Sequence, residues 1–344
     1  MTSRLARLTG AAAATVVVVG GAGAAYATTS VTATRLSGTN RYGTAAAIAA
    51  ATFPGGTSTV VIASGTNFPD ALAASYATGR AHAPILLTDP NNLSTETQQA
   101  ITNLKATGAE IVGGTAAVSA NVASQLQAMG LTVTRVYGAD RYATAANIAQ
   151  SYPSTFVSSY GTGGPTALVA SGAAFPDALA GGVMSNKNSF PMLLTDPNNL
   201  SAPTQSALSS LGIKQVFILG GTGAVSANVA SQITGMGITV TRISGADRTQ
   251  TATAIATFEN ANLGYSLGHV NLARGDDFAD ALAGTAHAGA ETAPILLTED
   301  PNTLGSYTTS WLQTNSASIN TIDVFGGTAA ISDATKNAAV TAAQ

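Results

Sequence analysis

One block of sequence occurs three times in the same internal order, and this restricts the fold more than any single motif. "RLSGTNRY" at residue 35 returns as "RVYGADRY" at 135 and "RISGADRT" at 242. "SGTNFPDALAA" at 64 returns as "SGAAFPDALAG" at 171 and "RGDDFADALAG" at 274. "PILLTDPNNLS" at 84, "PMLLTDPNNLS" at 191 and "PILLTEDPNTL" at 294 follow, and each block closes on "GGTAAVS", "GGTGAVS" or "GGTAAIS". A period of about 100 residues is domain-sized, so the chain reads as a triplicated domain and not as a solenoid of small units. The expected units are residues 28–134, 135–241 and 242–344.

Within a unit, short β-rich runs alternate with helical patterns: "VTATRL", "TVVIAS", "PILLT" and "AEIVG" read as strands, each followed by a helix. Near-continuous apolar strands point to sheets covered on both faces. The fold class is therefore α/β, with three tandem homologous small parallel-sheet domains of four βα units each. Helices rich in Ala and Gly can pack closely on the sheets and on a neighbouring repeat.

Residues 1–27 read differently. Arg4 and Arg7 precede an apolar run from Leu8 to Ala25, and Ala25-Tyr26-Ala27 fits a cleavage site, so a secretory signal peptide cut after Ala27 is expected, with an uncleaved membrane anchor as the alternative. Removing it takes two of the 14 basic residues and no acidic ones, leaving a mildly acidic chain without the footprint of a nucleic-acid binder. There is no cysteine, which excludes disulfides, thiol catalysis and cysteine-based zinc sites. Only 9% of residues are charged, so each recurring charge needs a reason.

Arg41, Arg141 and Arg248 each follow a cap-forming Asn40, Asp140 or Asp247, which puts a cation in the first helical turn, where the dipole disfavours it. Asp70, Asp177 and Asp280 of "FPDAL" and its variant are the expected partners, paired with the arginine of the same repeat at one sheet edge. The pairs Gly113-Gly114, Gly220-Gly221 and Gly326-Gly327 permit close backbone approach, to a ligand or only to a tight turn. Helix starts on the carboxyl side of each sheet offer free N–H groups to an anion. In the third repeat Arg274 stands where Ser64 and Ser171 stand, so its pocket is expected to differ in charge.

Other chemistry finds little support. Asp89 and Asp196 of "TDPNN" are assigned to turns, with Ser94 and Ser201 as N-caps of the next helix, and the alternating oxygen ligands of a calcium loop are absent. No G-x-S-x-G elbow surrounds Ser64 or Ser171, and no strand-to-helix G-x-G-x-x-G is present. His82, His269 and His287 are not equivalent in the repeats and are read as packed or exposed residues, not as a metal-ligand pair. No cofactor, metal or catalytic residue is expected.

Together, "RLSGTNRYGTAAAIA", "FPDALAA", "PILLTDPNNLS" and "GGTAAVS" resemble the cell wall binding repeat type 2 family of Gram-positive surface proteins, over nearly all of the chain from Arg35 onward. The resemblance implies three repeats packed around a pseudo-threefold axis in a monomer. It also implies non-covalent attachment of a secreted protein to an anionic, teichoic-acid-like wall glycopolymer or to peptidoglycan. Relatives often carry an effector region; here the repeats are expected to use up the chain, and no sorting signal is read at its end. A secreted structural or adhesive platform that binds another protein stays open as the alternative, with a wall-active enzyme third.

Overall fold

A computed structural model describes residues 30–344, and the expected signal peptide lies outside them. The chain runs β1 (Thr32–Leu36), α1 (Arg41–Thr52), β2 (Thr59–Ser64), a helix broken at Ala73 into α2 (Pro69–Leu72) and α3 (Ala74–Ala81), β3 (Ile85–Thr88), α4 (Thr95–Leu104), β4 (Gly108–Val112) and α5 (Ala120–Ala128). The second pass gives β5 (Thr132–Val136), α6 (Arg141–Gln150), β6 (Thr166–Ser171), α7 (Pro176–Asn188), β7 (Met192–Thr195), α8 (Ala202–Ser210), β8 (Gln215–Leu219) and α9 (Ala227–Gly235). The third gives β9 (Thr239–Ile243), α10 (Arg248–Leu263), β10 (His269–Arg274), α11 (Ala279–Glu291), β11 (Ile295–Thr298), α12 (Ser306–Thr314), β12 (Thr321–Phe325) and α13 (Asp333–Ala342).

These strands form three four-stranded parallel sheets, ordered β3-β2-β4-β5, β7-β6-β8-β9 and β11-β10-β12-β1. The sheets are therefore out of phase with the sequence repeats by one strand. The first strand of each repeat completes the sheet of the preceding one, and β1 closes the ring by pairing with β12, Thr32 opposite Thr321 through Leu36 opposite Phe325. The boundaries 134/135 and 241/242 consequently fall inside β5 and β9. The burial pattern explains the placement: β2 and β6 are buried almost throughout, whereas β1, β5 and β9 alternate in exposure, as an edge strand with one covered face does.

One apolar core is common to all three units. It takes Ile48, Val61 and Leu87 from the first, Leu168, Val183 and Leu194 from the second, and Ile255, Leu282 and Leu297 from the third, while three further clusters fill the other faces of the sheets. At its centre α3, α7 and α11 touch pairwise. The equivalent Phe68, Phe175 and Phe278 meet with ring centroids 5.3, 6.0 and 6.3 Å apart. Small side chains permit the approach: a β-carbon on Gly182 would lie 3.1 Å from Thr285 and 3.6 Å from Ser75, the equivalent positions of the other two helices. This is the contact pattern that a pseudo-threefold axis requires. No helix among the described residues is long and apolar enough to cross a membrane.

Candidate functional site

In each sheet the chain changes direction between its two central strands, so the loops after them diverge and leave a crevice at the carboxyl ends. In the first unit α2, which follows β2, delivers Asp70, the loop after β4 delivers Gly113 and Gly114, and the start of α6, which follows β5, delivers Arg141 and Thr144 from the next repeat beside the cap Asp140. Asp177, Gly220 and Arg248 occupy the same places at the second junction, and Asp280, Gly326 and Arg41 at the third. Each crevice is thus assembled from two repeats.

The first glycine of each pair is consumed by the fold. Gly113, Gly220 and Gly326 have φ of +102°, +99° and +105°, and a β-carbon on any of them would collide with the carboxylate of Asp70, Asp177 or Asp280. The second glycine is different: added β-carbons on Gly114, Gly221 and Gly327 would find their nearest neighbours 3.8 Å away, so these backbones border the opening. Burial raises the pKa of all three aspartates, partly offset at Asp70 by Thr144 and Arg141 and at Asp177 by Thr251 and Arg248. Asp280 reaches about 6, because burial and the neighbouring Asp277 outweigh Arg274 and Arg41.

The expected Arg–Asp pairs within each repeat do not form. Arg41, Arg141 and Arg248 instead donate through Nη1 to the carbonyl oxygens of Gly65, Gly172 and Gly275 at 2.5, 2.5 and 2.7 Å. These carbonyls compensate the cation in the first turn, while Asn40, Asp140 and Asp247 cap the helices as anticipated. The aspartate that each arginine faces belongs to the preceding unit. The cause is the strand exchange: α1 starts directly after β1, which lies in the third sheet, so Arg41 stands at the junction of units three and one.

The third crevice carries more charge, as Arg274 suggested. Arg274 grips Asp276 with two bonds of 2.7 Å, and Arg41 Nη2 lies 3.2 Å from Asp277, whose other oxygen accepts from the N–H of Phe278 at 2.7 Å. A cleft of about 180 Å3 remains between Arg41, Thr44, Asp280 and Gly327.

Sequence reasoning passed over a second arginine. Arg35, Arg135 and Arg242 donate to the carbonyl oxygens of Gly326, Gly113 and Gly220 at 2.7, 2.8 and 2.7 Å, holding the glycine loop of one repeat to the first strand of the next. Their recurrence six residues before the recognised arginines was the available signal. Asp89 and Asp196 close turns as expected, each accepting from two backbone N–H groups. Ser94 and Ser201 sit at N-cap positions, but their hydroxyls accept from Asp89 and Asp196 backbone N–H groups instead of capping the helices.

The histidines are packed or exposed as read, but two of them share a partner. His269 of β10 and His287 of α11 converge on Glu291 Oε1, at 2.9 and 3.2 Å. Burial alone would lower the His287 pKa, but hydrogen bonds with Asp323 and Glu291 outweigh it and raise it to about 9. His82 is exposed at the end of α3, in the left-handed conformation with φ of 48°.

Three segments, residues 35–123, 135–230 and 242–336, match the family described as Cell wall binding domain 2 (CWB2). N-acetylmuramoyl-L-alanine amidase LytC of Bacillus subtilis (strain 168) is 32% identical over 268 residues, 78% of this chain and 50% of that protein. The amidase enhancer of the same organism is 30% identical over 262 residues, 76% of this chain and 34% of that protein. The chain thus spans half or less of the length of these curated relatives. Cwp6 from Clostridium difficile superposes with a TM-score of 0.78 at 25% identity, over 91% of this chain and 48% of that one. Cwp8 from the same organism gives 0.78 at 23% identity, over 91% and 52%, a likeness of fold.

Proposed function

Because the chain belongs to the cell wall binding domain 2 family, we propose that it is a secreted, non-catalytic module that attaches non-covalently to an anionic, teichoic-acid-like wall polymer at its junction crevices. The observation that carries this reading is the recurrence at all three junctions of one constellation: an arginine anchored by a glycine carbonyl, an open second glycine, and an aspartate that is half-buried at the first two and buried at the third. An acidic chain cannot attract a polyanion by its overall field, so local donors must do it. The anchored guanidinium keeps N–H groups beyond those given to the carbonyl, and the second glycine brings its backbone to the mouth. Three such sites on one rigid core suit a polymer whose charged units repeat, since simultaneous engagement multiplies weak contacts.

Co-sedimentation of residues 28–344 with purified walls, before and after chemical removal of the secondary polymer and across a salt series, tests this. Binding that disappears with the polymer and weakens with salt is expected. Retention on stripped walls would redirect the reading to peptidoglycan, and absence of binding would favour a platform for another protein.

A further inference from the structure

The three units serve as internal controls for one another, and in one place the third departs from both siblings. At the amino end of β10, away from the crevice, a polar cluster lies between the sheet and α11. Register sets His269 opposite Thr321 and Asn271 opposite Asp323, so strand alternation puts His269, Asn271 and Asp323 on one face. His287 and Glu291 come down onto that face from one side of α11. In the second unit the five equivalent positions hold Thr166, Leu168, Met184, Asn188 and Phe217. In the first they hold Thr59, Val61, Ala77, Ala81 and Glu110, where Glu110 Oε2 accepts from the Tyr152 hydroxyl at 2.9 Å and Oε1 is buried without a partner. Two imidazoles and two carboxylates have replaced largely apolar packing.

We propose that this cluster binds a divalent transition ion of the zinc class, with His269, Glu291, Asp323 and His287 as ligands. Ligand atoms of His269, Glu291 and Asp323 all lie within 4.8 Å of one another. His287 Nε2 is 3.2 Å from both Glu291 Oε1 and Asp323 Oδ2. A tetrahedral zinc site with bonds of about 2.0 Å has edges of roughly 3.3 Å, close to the separations of 2.9 Å between His269 and Glu291 and of 3.2 Å between His287 and each of Glu291 and Asp323.

The hydrogen bonds around His287 support the assignment independently. Thr52 Oγ1 donates to Ile48 O at 2.7 Å, and so must accept from His287 Nδ1, 3.0 Å away. The Nε2 nitrogen therefore faces two carboxylate oxygens, a position that is filled by a proton on Nε2 or, in its place, by a metal ion. An imidazole whose other nitrogen is held by a fixed acceptor is the usual arrangement of a metal ligand. Glu291 Oε2 and Asn271 Oδ1 are buried without a hydrogen-bond partner, so the cluster is not complete as it stands. A surface cleft of about 410 Å3, bordered by His269, Glu291 and Asn320, gives access. Since Thr52 belongs to α1, the ion would brace the junction at which the first repeat closes the ring.

The test is titration of the metal-free protein with Co2+ followed by Zn2+ competition, beside thermal melts with Zn2+ and with EDTA. One equivalent of Co2+ with visible d–d bands, displaced by Zn2+, and a melting temperature raised by Zn2+ and restored by EDTA are expected. His269→Ala alters a half-exposed side chain; it should lower affinity at least about tenfold while leaving the EDTA melt unchanged. Glu291→Gln should do the same to affinity, and His82→Ala should change nothing. Substoichiometric binding by the unaltered chain, or wild-type affinity in both His269→Ala and Glu291→Gln, would overturn the site and leave the cluster a protonated ion network.

Discussion

Asp280 carries a destabilising charge at neutral pH. Its folded pKa of about 6 lies above the ordinary 3.8, so between pH 4 and 6 the native state holds a proton that the unfolded chain has released. Stability therefore falls as pH rises through that window, by about 3 kcal/mol once the carboxyl is ionised. Asp280→Asn should raise the melting temperature by several degrees at pH 7 and make no difference near pH 4, as paired melts would show; a lower value at pH 7 would mean that Arg41 and Arg274 outweigh burial. A carboxylate kept at such a disadvantage is what a functional position displays. The neighbouring glycines separate fold from binding in the same way. Gly113→Ala forces a side chain into φ of +102° and against Asp70, and denaturant titration should show a loss of about 1–3 kcal/mol. Gly114→Ala adds a methyl group at an open mouth, so stability should hold while wall co-sedimentation falls. Equal effects on both would remove the distinction. These residues were legible because each recurs three times, but their partners were not: sequence proximity paired Arg41 with Asp70, whereas the strand exchange brings it to Asp277 and Asp280.

Strand β1 shows what repetition could and could not convey. The order of strands and helices, the parallel sheets and the positions of the caps follow from apolar runs and turn residues in each block. The membership of β1 does not, because a strand next to its own helix is the default expectation. A signal was present in the alternation of "TATRL", "TVTRV" and "TVTRI", which marks an edge strand and sets these segments apart from "TVVIAS". Even so, alternation identifies an edge without saying whose edge it is. The side chain that answers the question is Arg35, which bonds Gly326 across the whole length of the chain. Removing residues 30–37 should therefore unprotect a distant element: hydrogen exchange in β12 should accelerate while β4, covered by its own β5, stays protected. A peptide of residues 30–37 added in trans should restore part of the protection. Unchanged exchange in β12 would show that the closing strand contributes no stability.

At the scale of the whole molecule, the shared core decides how the units behave together. Separate domains joined by linkers would each bury their own apolar face and could melt one by one. Here the inner faces of all three sheets, and the helices α1, α3, α7 and α11 between them, belong to a single cluster, and each sheet borrows a strand from the next repeat. No unit can leave without exposing that cluster and unpairing two strands, one that it lends and one that it receives. Unfolding should then be a single transition, with calorimetric and van't Hoff enthalpies in agreement. A lesion in any unit should lower the one melting temperature: Leu72→Ala, Leu179→Ala and Leu282→Ala each empty an equivalent buried position and should each cost about 2–5 kcal/mol. Resolved transitions, or a lesion that lowers only one of several, would mean that the repeats keep independent cores. The same coupling bears on wall attachment. Because every crevice is built from two repeats, unfolding of one repeat would disturb both crevices to which it contributes, and binding should vanish over the same temperature range as folding.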